Sequence, residues 1–87
     1  MPSGFRRTLT LRGQGETSIG LASNSSPRRA AGELDRFLAS RGWTSRGWRQ
    51  AGGAWHNRYQ DAGGKSIGLQ LVDDGRGGAV GLLIVAQ

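Results

Sequence analysis

The sequence predicts a single α+β domain over residues 1–87, in which one helix packs on one face of an antiparallel β-sheet. Three observations support this class. Several segments alternate apolar and polar residues with the period of a strand, one segment has helical spacing, and glycine-rich turns separate the strands. The predicted order of elements is ββαββββ, and residues 1–4 are expected to form a loose N-terminus.

The first predicted strand, Phe5–Arg12, alternates with a period of two and contains β-favouring threonines. One face is expected to carry Phe5, Arg7, Leu9 and Leu11, and the other Arg6, Thr8, Thr10 and Arg12. A short turn at residues 13–15 leads to a second strand, Glu16–Ala22, with Ile19 and Leu21 facing inward. The two segments together predict a hairpin.

The helix is predicted to run from Pro27 to about Arg41. Ser26 is a suitable N-cap, and proline is favoured at the first helical position. Gly42 is the predicted C-cap. The apolar residues fall on one side at helical spacing: Ala30, Ala31, Leu34, Phe37 and Leu38.

After the helix, the segment Ala54–Gln60 is expected to carry Trp55, Asn57 and Tyr59 on one face and Ala54, His56, Arg58 and Gln60 on the other. The segment Lys65–Val72 is expected to point Ile67, Leu69 and Leu71 inward. The four strands predicted in this part of the chain are Gly47–Ala51, Ala54–Gln60, Lys65–Val72 and Ala79–Ala86. The last of these is apolar on both faces, which is typical of a central strand or of a strand in a subunit contact. A homodimer formed through Ala79–Ala86 is therefore the predicted oligomer.

The formal charge of +6 is unevenly distributed, because residues 1–60 carry ten arginines against three acids and residues 61–87 have a net charge of −1. This charge favours a polyanionic partner: nucleic acid, anionic lipid or an acidic protein. The chain has no cysteine, which excludes disulfides and thiolate metal sites. No apolar run approaches the roughly 18 residues of a membrane span, and we expect a cytoplasmic protein without cofactor or metal.

Residues 42–61 contain every tryptophan, the only tyrosine and the only histidine, together with three arginines. Rings that stack on bases and arginines that bind phosphates predict a nucleic-acid-binding surface. Its candidate residues are Arg6, Arg12, Arg46, Trp48, Arg49, Trp55, His56, Arg58 and Tyr59. Two alternatives stay open: the rings are core residues, or the same charges and rings bind an acidic protein.

His56 is the one candidate for acid–base chemistry, as in RNA cleavage, and its other interpretation is a polar surface residue. No second histidine and no suitably placed pair of acids accompanies it. The sequence therefore favours a binding protein over an enzyme.

Two runs, ELDRFLASRGW and GGAWHNRYQDAGGKSIGLQL, resemble the HicA-type toxins over residues 33–71. The family pattern has a helix, a Gly-Trp pair, a strand, and a Gly-Ser-His that leads into a hairpin. The matching positions here are Gly42, Trp43, Gly53 and His56, with two residues instead of one before the histidine. The resemblance implies a fold like that of double-stranded-RNA-binding domains, RNA as the ligand, and cleavage of messenger RNA that involves His56.

Overall fold

The structure, a computed structural model, describes residues 4–86, so most of the predicted loose N-terminus lies outside the described residues. This part of the chain contains one helix and seven strands, which confirms the α+β class. The elements are β1 (Phe5–Gly13), β2 (Glu16–Ser23), α1 (Pro27–Ala39), β3 (Thr44–Ser45), β4 (Arg49–Ala51), β5 (Ala54–Gln60), β6 (Ser66–Asp73) and β7 (Ala79–Ala86). The observed order differs from ββαββββ by the two-residue strand β3.

All strand pairs in the sheet are antiparallel, and the strands lie in the order β1-β2-β7-β6-β5. The short strands β3 and β4 both pair with β5, at opposite ends of the same edge. Strand β7 is hydrogen-bonded on both sides, so its predicted central position is confirmed. Only one of its faces is buried: Leu83 packs in the core beneath the helix, whereas Val80 and Leu82 on the other face are 40% and 41% exposed.

The helix begins at Pro27 as predicted and ends at Ala39, two residues before the predicted end, and its C-cap is Ser40 instead of the predicted Gly42. The Ser26 hydroxyl accepts a hydrogen bond from the Arg29 N–H at 3.4 Å, and Pro27 occupies the first turn. At the other end the Trp43 N–H reaches back to the Leu38 carbonyl at 3.0 Å. Gly42 permits this turn because its φ is 87°, a conformation that favours glycine.

The helix covers one face of the sheet, which we call the covered face. Helix residues Ala30, Ala31, Leu34 and Leu38 pack there against side chains from four strands: Leu21, Tyr59, Ile67, Leu69, Leu71 and Leu83. The inward orientation predicted for Ile67, Leu69 and Leu71 is confirmed. The opposite side of the sheet has no helix within residues 4–86, and we call it the open face.

A β-bulge in β1 overturns the predicted orientation of two leucines. The register shifts between Arg7 and Leu9, after which Leu9 pairs with Gly20 and Leu11 pairs with Ser18. Because directly opposed residues point to the same side of a sheet, both leucines lie on the open face. They are 56% and 58% exposed, whereas Arg7 pairs with Leu21 on the side of the helix, so the prediction that Phe5, Arg7, Leu9 and Leu11 share one face is wrong.

The same bulge separates two arginines that were predicted to share a face. Arg6 precedes the bulge and pairs with Ala22 on the open face. Arg12 follows it and pairs with Thr17, whose side is that of Ile19 and the covered face. The polar face predicted for the first strand is therefore wrong as a single surface.

Candidate functional site

Strand β5 divides the candidate residues between the two faces of the sheet. Trp55, Asn57 and Tyr59 point to the covered face, opposite the buried residues of β6. His56, Arg58 and Gln60 point to the open face and are exposed. The alternation predicted for this strand is confirmed, and it places the arginine on the side opposite to the rings.

The aromatic rings belong to the packing around the helix. Tyr59 is 1% exposed, and its hydroxyl donates a hydrogen bond to the Asp35 carboxylate. The Trp48 indole N–H donates to both oxygens of the same carboxylate, at 3.0 and 3.1 Å. The two rings meet edge to face, with centroids 6.5 Å apart and planes at 79°. Asp35 therefore links both rings to the helix through hydrogen bonds.

This packing changes the predicted set of contact residues. Tyr59 has no free ring surface for a base, because it is part of the core. Trp48 and Trp55 are half-buried and pack against the core beside it. The picture of rings and arginines sharing one outward surface is corrected: the rings pack on the covered side and the arginines of this region lie on the open face.

The environment of Tyr59 keeps its hydroxyl protonated. Burial raises the pKa of Tyr59 well above the 10.0 of a free tyrosine, and the hydrogen bond to Asp35 and its negative charge raise it further. The hydroxyl is thus a permanent donor to Asp35 at neutral pH, which suits a structural role.

On the open face, three arginines converge beside His56. Arg49 on β4 lies directly opposite His56, and Arg58 is two residues further along β5. The Arg46 backbone N–H donates to the Arg58 carbonyl at 2.8 Å, which brings the third arginine to the same edge. The Arg46 guanidinium donates to the Gln60 side-chain carbonyl at 2.9 Å.

These residues form one side of a depression of about 570 Å³, which we call the basic groove. Its other side comes from the two neighbouring strands, with Gln70 on β6 and with Leu82 and Ile84 on β7. Cross-strand pairing explains this arrangement, because Gln70 lies between His56 and Leu82. The groove is therefore basic at one edge, polar along its middle and apolar at the far wall.

The acidic side chains are engaged elsewhere. Asp61 accepts from the backbone of Gly63 and Lys65, and Asp73 accepts from Gly75. Asp74 accepts from the N–H groups of Arg76 and Gly78, which hold the pKa of its carboxyl below the usual range. Glu33 and Asp35 lie on the helix, and Glu16 lies on β2, three strands from β5. No carboxylate therefore lines the groove among residues 4–86.

Besides the three rings, two of the predicted arginines lie away from the groove. Arg6 is on the open face but on β1, four strands from β5, which corresponds to roughly 19 Å. Arg12 is on the other side of β1, towards the covered face. Sequence reasoning missed Gln70, Leu82 and Ile84, which line the groove. The alternation of Gln70 with the buried leucines of β6 was the signal that could have found it.

Comparison with family models, with curated proteins and with solved structures finds no match for this chain. Within residues 4–86 no helix has the length and apolarity needed to cross a membrane. The same residues contain no group of three histidine or acidic side chains close enough to hold a metal ion.

Proposed function

We propose that this protein binds nucleic acid through the sugar–phosphate backbone, with the basic groove as the binding site. The observation that carries the proposal is the convergence of Arg46, Arg49 and Arg58 on a groove without a lining carboxylate. Guanidinium groups form bidentate, charge-assisted hydrogen bonds to phosphate, and they stay charged at any physiological pH.

The arrangement of these charges supports an anionic ligand over a purely structural role. Arg49 and Arg58 flank the same residue of β5 on the same face of the sheet. The two arginines are diagonal neighbours, roughly 7–8 Å apart at the backbone, so one phosphate can lie between their side chains and offset the repulsion of the two charges. Arg46 is held at the groove by Gln60, so part of the site is preorganised.

The first experiment measures the affinity for a labelled single-stranded oligonucleotide over a series of salt concentrations. Three phosphate contacts to a single strand predict a slope of log K against log[salt] of about −2. Affinity should then fall about 20-fold between roughly 50 and roughly 200 mM salt. Binding that does not change with salt would contradict the proposal, because neutralised phosphates release counterions.

Charge-removing variants localise the site. Arg49→Gln and Arg58→Gln should each weaken binding and make the slope less steep by about 0.7. The matched control is Arg28→Gln, which removes the same charge from the exposed face of the helix, on the other side of the sheet. Equal losses in all three variants would show that net charge, and not the groove, governs binding.

An acidic protein is the second candidate partner, and one observation favours it. The open face continues from the groove into an apolar strip on β1 and β7, where Leu9, Leu11, Val80 and Leu82 are exposed. Apolar side chains beside arginines are typical of protein-binding surfaces. A pull-down that retains one acidic protein after nuclease treatment, and loses it in a Leu9→Thr/Leu11→Thr variant, would replace nucleic acid with this partner.

The resemblance to HicA-type toxins supplies a third possibility, RNA cleavage by His56. Its position favours this role, because the exposed imidazole lies opposite Arg49 at the groove. An arginine stabilises charge on a reacting phosphate, and a histidine transfers protons near neutral pH. His56→Ala should then abolish cleavage while it leaves binding intact. Wild-type protein that leaves RNA whole removes the enzyme hypothesis and leaves the binding proposal standing.

A further inference from the structure

The floor of the basic groove has a gap where a side chain is missing. Gly68 lies in the middle of β6, and a Cβ built on it would have nothing within 4 Å. Its φ is outside the left-handed region, so the backbone does not require glycine there. Glycine in the interior of a strand weakens the strand by roughly 0.5–1 kcal/mol relative to alanine. Neither packing nor conformation accounts for this residue.

The surroundings of this gap combine the chemistry that recognises a nucleotide. Gly68 pairs with Arg58 on one side and with Ile84 on the other. Two strand spacings separate these neighbours, so the backbones of Arg58 and Ile84 are roughly 10 Å apart. Gln70 borders the gap along β6, two residues away on the same face. We call the space above Gly68, between Arg58, Gln70 and Ile84, the notch.

We propose that the notch holds one unpaired base of a single-stranded nucleic acid while the arginines hold the adjoining phosphates. This inference rests on the proposed function and specifies its ligand. The base lies with one face against Ile84, and its polar edge meets the Gln70 amide, which can both donate and accept hydrogen bonds. The phosphates lie toward Arg49 and Arg58, at the basic edge of the groove.

A duplex does not fit this arrangement. In a double helix the bases are stacked and paired, so their faces cannot enter a recess in a protein surface. The arginines also lie at one edge of the groove only, and the far wall is apolar. A single strand turns its bases away from its phosphates and can place one on each side of such a groove.

The test fills the notch and leaves every charge in place. Gly68→Ala and Gly68→Val add side chains where the structure has open space, and valine favours a strand. Each variant is titrated with three probes of equal length, roughly ten nucleotides: a single-stranded DNA, a single-stranded RNA and an abasic DNA strand. Ser18→Val is the control, because it places the same valine side chain on the same face, beyond Ile84 and outside the groove.

Gly68→Val should weaken binding of the base-containing strands about tenfold and leave binding of the abasic strand unchanged, with a smaller loss for Gly68→Ala. Ser18→Val should bind all probes like the wild type. If Gly68→Val loses affinity only for the RNA strand or only for the DNA strand, the notch binds a base of that nucleic acid. Equal affinity of Gly68→Val and wild type for the base-containing strands would overturn the inference, as would an equal loss on the abasic strand. Wild-type protein that binds none of the probes refutes the proposed function itself.

Discussion

The covered face and the open face are built from the same strands but obey different constraints. Two glycines make the comparison concrete. A Cβ on Gly81, which points to the covered face, would lie 2.6 Å from the Leu71 side chain and 2.7 Å from the Gln70 carbonyl. A Cβ on Gly68, which points to the open face, would meet nothing. Packing therefore requires a glycine at position 81, whereas it would allow a larger residue at position 68.

Polar residues on the two faces differ in the same way. On the covered face Asn57 is buried and its amide donates to the Ser45 hydroxyl at 2.8 Å, while Asp35 accepts from both Trp48 and Tyr59. Each of these groups is explained by its partner within the fold. Arg49 and Arg58 on the open face line a groove that has no carboxylate among residues 4–86, and the proposed function would supply their partner as a bound phosphate.

The largest effect is expected for Asp35→Ala, which removes the acceptor shared by the Trp48 and Tyr59 donors on the covered side. Hydrogen bonds to a charged group are worth about 1.5–3 kcal/mol each, and the buried Tyr59 hydroxyl would lose its partner. We expect a loss of about 3 kcal/mol in the free energy of unfolding, measured by urea denaturation. Glu33→Ala is the control on the same helix, where the carboxylate accepts only a 3.4 Å bond from Ser25. Similar losses in both variants would contradict this account.

The second largest effect on stability is expected from alanine substitutions at the two glycines. Gly81→Ala should lower the free energy of unfolding by about 2 kcal/mol, because neither the Gln70 backbone nor the buried Leu71 can move freely. Gly68→Ala should leave it unchanged or raise it by up to about 1 kcal/mol. Thermal unfolding of the two variants compares the faces directly. A destabilised Gly68→Ala protein would mean that the open face is packed against something.

Much of this division could be predicted from the sequence, because it depends on local periodicity. The alternation in Ala54–Gln60 placed Tyr59 and Arg58 on opposite sides, as the structure has them. It could not decide which side the helix covers, since that depends on how distant strands pair. For Arg58 the hypothesis of a surface shared with Trp55 and Tyr59 failed for a local reason, because the alternation alone puts the arginine on the side opposite to the rings.

The bulge in β1 is the clearest example of a structural feature that residue spacing alone could not predict. One extra residue, Thr8, shifts the register and moves every later residue of the strand to the other face. The available signal was Gly20 on the partner strand: a Cβ there would collide with the Thr8 hydroxyl. A glycine inside a strand is a known mark of a bulge, but it does not say which partner residue is displaced.

The third expected effect is a change in the free energy of unfolding that appears only at alkaline pH. The pKa of Tyr59 is raised in the folded protein, so the unfolded chain loses its phenolic proton first, near pH 10. The stabilisation from this residue is therefore complete below pH 10 and is lost as pH rises above it, by about 1 kcal/mol between pH 10 and pH 11. Urea midpoints across this range test the sign. Tyr59→Phe should remove this part of the pH dependence, and an unchanged profile in that variant would assign the effect to other groups.

The smallest effect concerns a pair of valines on β7 and tests whether the open face is free. Val85 packs against the core on the covered face, whereas Val80 is 40% exposed on the open face. Valine to threonine keeps the shape and adds a hydroxyl, which costs about 1 kcal/mol or more where it is buried. Val85→Thr should show that loss, and Val80→Thr should stay within about 0.5 kcal/mol in dilute protein.

The same two variants also test the homodimer that was predicted to form through Ala79–Ala86. Both edges of β7 are paired within the chain, so this strand can meet a second copy only through the open face. Association there would make the urea midpoint rise with protein concentration, because a partner that binds only the folded state stabilises it. Val80→Thr should then reduce this concentration dependence, whereas Val85→Thr should lower the midpoint equally at every concentration. A wild-type midpoint that is independent of concentration, with one protomer in sedimentation equilibrium, would exclude the dimer and leave the apolar strip to another partner.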